Sequence, residues 1–501
     1  MKEKENFVRG NFCRFFNSTW LLVLYGIVII ATGSIIMKTF FASLLLPLFV
    51  LGICWLFHKK VLFECRLSYS LIWWSICVIG TIFMVCFSYF ARMDNFSWDW
   101  GLVIRSASEY VLTGKLEYKV YFAQYPNNQF WYLILVIVFK IIHWFNPGAQ
   151  FHQFYMASIM MGCFMVTGAI VLLYLTAKEL WGEKKAVVVG SMAYLCIPLH
   201  MWASYAYTDT AGMLLLMLLI FLYIRAEKSD HIRQYILYMG LIGLTGAVAW
   251  AIKVTIFIFV IAVFLTLLLK KIALKKLLIG ILSVTLLFSL GKISIDTAVD
   301  SVLPIDGEFY DQYEFPLTHW IMMSLKGGGY SQEDVDFTAG FPSYKEKQKA
   351  NIEVIKDRLK ERGFLGNMKF FLFDKQMSIW GDSTFTGSEY LSRGPLYQDG
   401  FLQRFVTKTG DMNWLLYIYT ALYYGILLVG IFLSAFFAWR EKRLAEDHLF
   451  VGRLTMLGIC IFLTIWECNP RYLVLFLPLM MLLCAGGFIE LRQRIRQRMK
   501  F

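Results

Sequence analysis

The sequence predicts an all-α polytopic membrane protein, and three observations carry that expectation: the composition, the recurrence of long apolar runs, and the placement of basic residues. Of 501 residues, 58% are hydrophobic and only 17% are charged, whereas soluble domains run about 45 to 50% apolar and about 25% charged. Apolar runs of roughly 17 to 25 residues, enough to cross ~30 Å of hydrocarbon, recur along most of the chain, about twelve in all. The expected spans are 19–37, 39–57, 70–90, 154–176, 186–203, 209–225, 235–251, 254–269, 277–294, 413–438, 449–466 and 471–490.

The first run begins near Thr19, lacks a small-residue cleavage site and is followed almost at once by a second run. It is therefore expected to be a retained anchor. With the N-terminus inside, more than half of the 48 lysines and arginines fall in or beside cytoplasmic segments, including "HKK", "GEKK", "KKIALKK", "REKR" and "RQRIRQRMK". The positive-inside rule accordingly fixes the orientation, with residues 295–412 forming a long loop that the rule does not count. The net charge of +13 is explained by basic residues beside anionic lipid headgroups, without a nucleic-acid partner. A multi-pass protein of the cell membrane is expected.

Ten cysteines are scattered along the chain, none of them in 295–412. That excludes a disulfide framework and metal-ligand spacing. The chain divides into a tail and two-span hairpin (1–69), a membrane core with a first outer loop at 91–153 (70–294), an extracytoplasmic insert (295–412), and a three-span unit with a basic tail (413–501).

Within the first outer loop, "WGLVIRSASEYVLTG" sets Leu102, Val103, Ala107, Tyr110 and Val111 at helical spacing, with Gly114 as a stop. This reads as a helix on the membrane surface. The following stretch, Gln129 to Phe145, is apolar but interrupted by Lys140 and His143, and counting it as a span would place "GEKK" outside. It is expected at the interface. In the insert, "SYKEKQKANIEVIKDRLKERG" aligns Ile352, Ile355 and Leu359 in one stripe ended by Gly363, the pattern of an amphipathic surface helix.

Four ionisable positions stand out at outer span boundaries. Asp99 lies between Trp98 and Trp100, where lost hydration suits a carboxylate to take a proton; its plainer reading, shared with Asp94, is a helix cap. Asp209 opens a span and could likewise be a cap. Lys253 separates two apolar runs, where a lysine either snorkels or works. Arg471 follows Glu467 at the last outer turn and either anchors the interface or grips a phosphate. Two carboxylates and two cations on one membrane face suit transfer from a phosphate-bearing lipid.

The order of these motifs resembles the GT-C membrane glycosyltransferases, in particular the branch with protein O-mannosyltransferases and the lipid A aminoarabinose transferase. The resemblance spans roughly residues 70 to 490. "DWGLVIRSA" supplies Asp99 and Ala107, "YFAQYPNNQFWYL" is similar at Tyr125, Pro126 and Asn127, "SYAYTDTAG" offers Asp209 but has Thr210 where proline is common, "LTGAVAWAIKVT" gives Lys253, and "RY" gives Arg471 and Tyr472. "FPLTHWIMMSLKGGGY" and "WGDSTF" look similar to stretches of Gram-positive enzymes of this class that act on cell-surface polymers.

The resemblance implies a GT-C fold and an inverting transfer of one sugar from a polyprenyl-phosphate donor to an extracytoplasmic glycan, teichoic acid, glycolipid or protein. Asp99 would be the general base and Asp209 would orient donor or acceptor. Lys253, Arg471 and Tyr472 would bind the donor phosphate, with Asp94, Tyr125, Asn127 and His319 positioning acceptor or donor. Phosphate chemistry admits a divalent ion, yet no ligand cluster argues for one. Two rivals remain at this stage: a flippase for lipid-linked saccharides, which would want charges at mid-membrane or an internal repeat, and a polymerase or ligase moving a whole glycan.

Overall fold

The computed structural model describes residues 2–38, 68–94, 96, 98–270, 272–327, 329–441 and 447–498. The expected span 39–57 lies outside the described residues. Every other expected span coincides with helix, and the only pairing outside helices among the described residues is an isolated bridge between Met93 and Pro395. The protein is all-helical.

About twelve spans are expected, one of them outside the described residues. Among the described residues nine helices are long and apolar enough to cross a membrane, or ten if one bent pair is counted as a single span. That pair, Glu183–Tyr194 and Ile197–Ala203, occupies the expected span 186–203 and bends by 62°. Pro198 at the start of its second half has no N–H to continue the helical ladder. The expected spans 254–269 and 449–466 form the shorter helices Val254–Leu269 and Phe450–Ile465; the latter's 16 residues rise only ~24 Å.

Burial separates centre from edge. In Pro470–Arg498 89% of the apolar window is buried, against 17% in Leu274–Val302, so the last helix lies inside the bundle and the other faces outward. The last helix packs against Asn413–Glu441, and the approach is so close that a Cβ on Gly487 would meet the Gly430 carbonyl. Thr208–Glu227 is sandwiched between Phe151–Trp181 and Ile232–Ile252 and touches the segment Pro470–Phe476.

The surface helix forms as Asp99–Thr113 and stops at Gly114, whose φ of 72° is the left-handed conformation glycine tolerates. Val103, Ile104 and Ala107 are buried against Gln129–Phe145 and Phe151–Trp181. By length and apolarity Pro126–Phe145 qualifies as a span. Yet the chain leaves Tyr69–Phe90 and re-enters Phe151–Trp181 at one end of the bundle: the Met93 amide donates to the Tyr155 hydroxyl at 2.9 Å, and the Phe96 and Phe151 rings meet at 5.0 Å. With both points at one end, the connection between them crosses the bundle an even number of times or not at all.

The insert is more helical than expected, with helices at Gly307–Tyr313, Leu317–Lys326, Gln332–Ala339, Tyr344–Lys369, Lys375–Trp380, Gly387–Leu391 and Gln403–Val406. Of the apolar stripe of Tyr344–Lys369 only Ile352 is exposed; Ile355 and Leu359 are half-buried on the face that also buries Lys347 and Asn351. Arg358 donates to both oxygens of buried Asp334, at 2.7 and 2.9 Å, and this bidentate pair, stronger than an isolated Ile contact, helps fix the inner face. Gly363 breaks the helix at φ 66°.

Candidate active site

Asp209, Lys253 and Arg471 come from three different segments and meet. Tyr207, not Asp209, is the N-cap of Thr208–Glu227, and Thr210 takes the reciprocal role in its capping box, its hydroxyl accepting from the Tyr207 amide at 3.1 Å. That leaves the fully buried Asp209 carboxylate in the first helical turn, where the helix dipole favours it. Lys253 follows the C-terminus of Ile232–Ile252 in extended conformation and its ammonium pairs with Asp209 Oδ1. Arg471 follows a local signal of its own: the Asn469 side chain accepts from the Arg471 amide at 3.0 Å, and Pro470 starts the turn. Its Nε lies 3.5 Å from Asp209 Oδ2.

Two buried cations thus share one carboxylate. The Arg471 guanidinium is walled by Trp98, Tyr207, Tyr390 and Tyr472, with ring centroids 5.5, 5.8, 5.7 and 5.5 Å away, and donates to the Tyr390 hydroxyl at 3.1 Å. Lys253 stands 5.0 Å from the Tyr472 ring. Aromatic faces hold cations without neutralising them, so within this trio two cations face a single carboxylate, with Glu467 close enough to feel both.

Asp99 is not a cap either. Trp98 is the N-cap of its helix and makes no side-chain capping bond. The Asp99 Oδ1 accepts from the Tyr121 hydroxyl at 2.9 Å. Asn128 Nδ2 donates to the same hydroxyl at 2.7 Å, and its Oδ1 accepts from Tyr207 at 2.9 Å. A polar relay therefore runs from Asp99 through Tyr121 and Asn128 to Tyr207, one ring of the Arg471 wall. Asp99 Oδ2 has no hydrogen-bond partner among the described residues.

Glu467 lies in the turn before Arg471 and accepts from the Tyr472 hydroxyl at 2.8 Å. Burial pushes its carboxyl above the usual carboxylate range; the Tyr472 bond and the Arg471 charge pull it back, and Asp99 adds to the rise. Asp99 and Glu467 thus lie near enough to repel each other across this end of the bundle. Tyr125 lies at the same end: its ring is 5.7 Å from Trp320, which stacks on Trp466 at 6.1 Å. Trp320 and Trp466, both half-buried, extend an aromatic wall from Tyr125 to the Glu467 turn.

The insert shapes this end in two ways. The buried Lys375 donates to the Thr464 and Trp466 carbonyls at 2.9 and 2.8 Å, and the Ser324 hydroxyl to the Ile465 carbonyl at 3.0 Å. A cation and a hydroxyl thereby satisfy the carbonyls left open at the C-terminus of Phe450–Ile465. Asp382 of "WGDSTF" accepts from the Thr384 and Thr386 amides at 2.9 and 2.8 Å. It folds a turn in which Phe385 and Thr386 carry positive φ, and that turn starts the short helix carrying Tyr390.

A family model described as "conserved hypothetical integral membrane protein" matches residues 5–488. The chain belongs to this family. No curated protein matches the sequence. Among solved structures the chain is similar to an Archaeoglobus fulgidus oligosaccharyltransferase tethered to an acceptor peptide with an NVT sequon, at a TM-score of 0.44 and 14% identity, over 85% of this chain and 50% of that one. The chain thus spans about half the length of that protein.

In this family member the remaining expected site residues fall apart from the charged cluster. Asn127 is exposed and only donates to Asn128, at 3.3 Å; the turn Pro126–Asn128 points the second asparagine inward instead. Asp94 is exposed, and its amide donates to the Gly394 carbonyl at 2.9 Å, which fixes it beside the insert. His319 is buried, shares a 2.7 Å hydrogen bond with Thr338 through Nδ1 and packs on Phe315. Burial lowers its imidazole to about 4, so it is a neutral packing residue whose neighbour Trp320 reaches the aromatic wall. Among the described residues no group of three or more His, Cys, Asp or Glu side chains could hold a metal ion. Tyr121, Asn128, Tyr207 and Tyr390 escaped the sequence reading, because uncharged polar groups in an aromatic-rich chain carry no signal before the fold brings them together.

Proposed function

We propose that the chain is a membrane glycosyltransferase that moves one sugar from a polyprenyl-phosphate donor to a hydroxyl acceptor on the extracytoplasmic face of the cell membrane. The observation that carries this reading is the buried cluster in which Lys253 and Arg471 share Asp209. Its two cations, out of water, are suited to a phosphate anion. A phosphate leaving a sugar gains charge as the bond breaks, and preformed cations stabilise that charge most.

Asp99 serves as base in this reading. Its Oδ2 takes the proton of the acceptor hydroxyl, the acceptor oxygen bonds to the anomeric carbon, and the bond from that carbon to the donor phosphate breaks. The electron pair stays on the phosphate, held by Arg471 and Lys253. Attack opposite the leaving group inverts the anomeric carbon. Tyr121 and Asn128 position Asp99, and Asp209 positions the two cations. The wall of Tyr125, Trp320 and Trp466 supplies flat apolar faces for a saccharide, consistent with an acceptor glycan at the cell surface.

The test is transfer of labelled sugar from a synthetic polyprenyl phosphate by purified protein, with product mass read per turnover. One sugar added per event is expected, and Asp99→Asn should lose roughly 10²- to 10⁴-fold in turnover, the scale of one general base. Undiminished turnover in folded Asp99→Asn would sink the base. Lipid movement across the bilayer without transfer would point to a flippase, and addition of a whole glycan block to a polymerase or ligase.

A further inference from the structure

At the far end of Thr208–Glu227, ~30 Å along its 20 residues from Asp209, lies a cavity of about 210 Å³. Glu227, Tyr235, Met239, Leu267, Lys270 and Lys276 line it. Its walls come from the ends of four consecutive helices, at the end that the basic run "KKIALKK" assigns to the cytoplasm.

Three observations describe what the cavity lacks. The Glu227 carboxylate pairs with Lys270 through one oxygen and meets His448 Nδ1 at 2.8 Å through the other, so it offers a ligand no free acceptor. Lys276 is half-buried, 4.6 Å from the Tyr235 ring, and pairs with no carboxylate among the described residues. Tyr235 is only 2% exposed, and its buried hydroxyl has no hydrogen-bond partner among the described residues. That hydroxyl reaches the space beside Gly280, where any side chain would collide with it. An unsatisfied buried hydroxyl is costly, and an unpaired cation beside it defines the missing partner as an anion with several acceptor oxygens.

The surroundings favour a lipid over a free ion. The adjoining helices expose Leu268, Leu274 and Leu278, which places the cavity at the lipid-facing edge of the bundle, and Met239 and Leu267 give it an apolar floor. Basic pockets between helices at a cytoplasmic boundary suit phospholipid headgroups. We propose that this cavity binds the phosphate of an anionic phospholipid, with Lys276 and Lys270 supplying charge and Tyr235 donating a hydrogen bond. The site is independent of the transfer chemistry at the opposite end.

Native mass spectrometry of the full chain, equilibrated with equal amounts of phosphatidylglycerol and phosphatidylcholine, tests this. Wild-type protein should retain phosphatidylglycerol several-fold over phosphatidylcholine. Lys276→Gln and Tyr235→Phe should each erase most of that preference while melting as wild type does, and Tyr235→Phe, which keeps the ring packing, decides the matter should Lys276→Gln fail to fold. An excess of inorganic phosphate should not displace the lipid. Equal retention of the two lipids, or an unchanged preference in folded Tyr235→Phe, would overturn the proposal. Displacement by inorganic phosphate would overturn the lipid assignment.

Discussion

Thr208–Glu227 carries a buried ionic cluster at each end, and the two are built differently. At its start Asp209 faces two cations, Lys253 and Arg471, set among aromatic rings and hydroxyls. At its end Glu227 pairs with Lys270 and His448, and Asp447 pairs with Arg453, so each carboxylate has its own strong base. There the carboxylates are closed off by their own bases, and Lys276 beside them is the cation without a carboxylate partner among the described residues. The first cluster sets two cations against one carboxylate and adds another, Asp99, with one free oxygen. Burial and pairing alone therefore do not mark a site; an imbalance of charge does.

Breaking one ion pair at each end separates the two clusters. Arg471→Met should cut turnover by ~10² to 10³, comparable to losing one preorganised stabiliser of developing charge, while Lys253 still neutralises Asp209 and the protein still folds. Asp447→Asn at the opposite end should lower stability by about 3 kcal/mol, because Arg453 is left buried without its partner, with turnover per folded molecule unchanged. Transfer assays and thermal unfolding of both variants give the full cross. Equal effects of the two substitutions on turnover would erase the distinction.

Lys375 tests how far the insert belongs to the site end. Its environment of two carbonyls and one hydroxyl includes Trp466 and Ser324, and it anchors the turn that carries Glu467. Lys375→Met should cost ~1 to 3 kcal/mol from the carbonyls it leaves unsatisfied. If the turn positions Glu467 and Arg471, the same variant should raise KM for the donor more than it lowers kcat. A loss of stability with both constants untouched would reduce Lys375 to a packing role.

What could be read in the sequence follows from where the signal resides. Asp209, Lys253 and Arg471 each interrupt an apolar run at its end, and a charge in that place is visible without the fold. The bends were partly visible as well: Pro198 sits inside an expected span. Tyr390 was not, because it is 81 residues from Arg471 in sequence and stands in an insert rich in polar residues. Asn128 was passed over for Asn127, since nothing local tells which of two adjacent asparagines a turn buries. The Ile352 stripe told only part of the inner face, because Arg358 and Asp334, two residues that usually face water, pair inside as well.

The smallest expected effect concerns the insert alone and depends on His319. Its imidazole titrates near 4 in the folded protein because of burial, whereas an unfolded histidine titrates near 6.5. Between those values the unfolded chain takes up a proton that the folded chain refuses, so stability is lost as pH falls from about 6.5 toward 4, by about 2 kcal/mol at pH 5. His319→Gln removes the titration, and thermal unfolding at pH 7 and pH 5 should show a shallower pH dependence than wild type. If His319→Gln and wild type lose stability in parallel, the insert's sensitivity to acid originates elsewhere, and the aromatic wall that Trp320 extends does not depend on a neutral imidazole behind it.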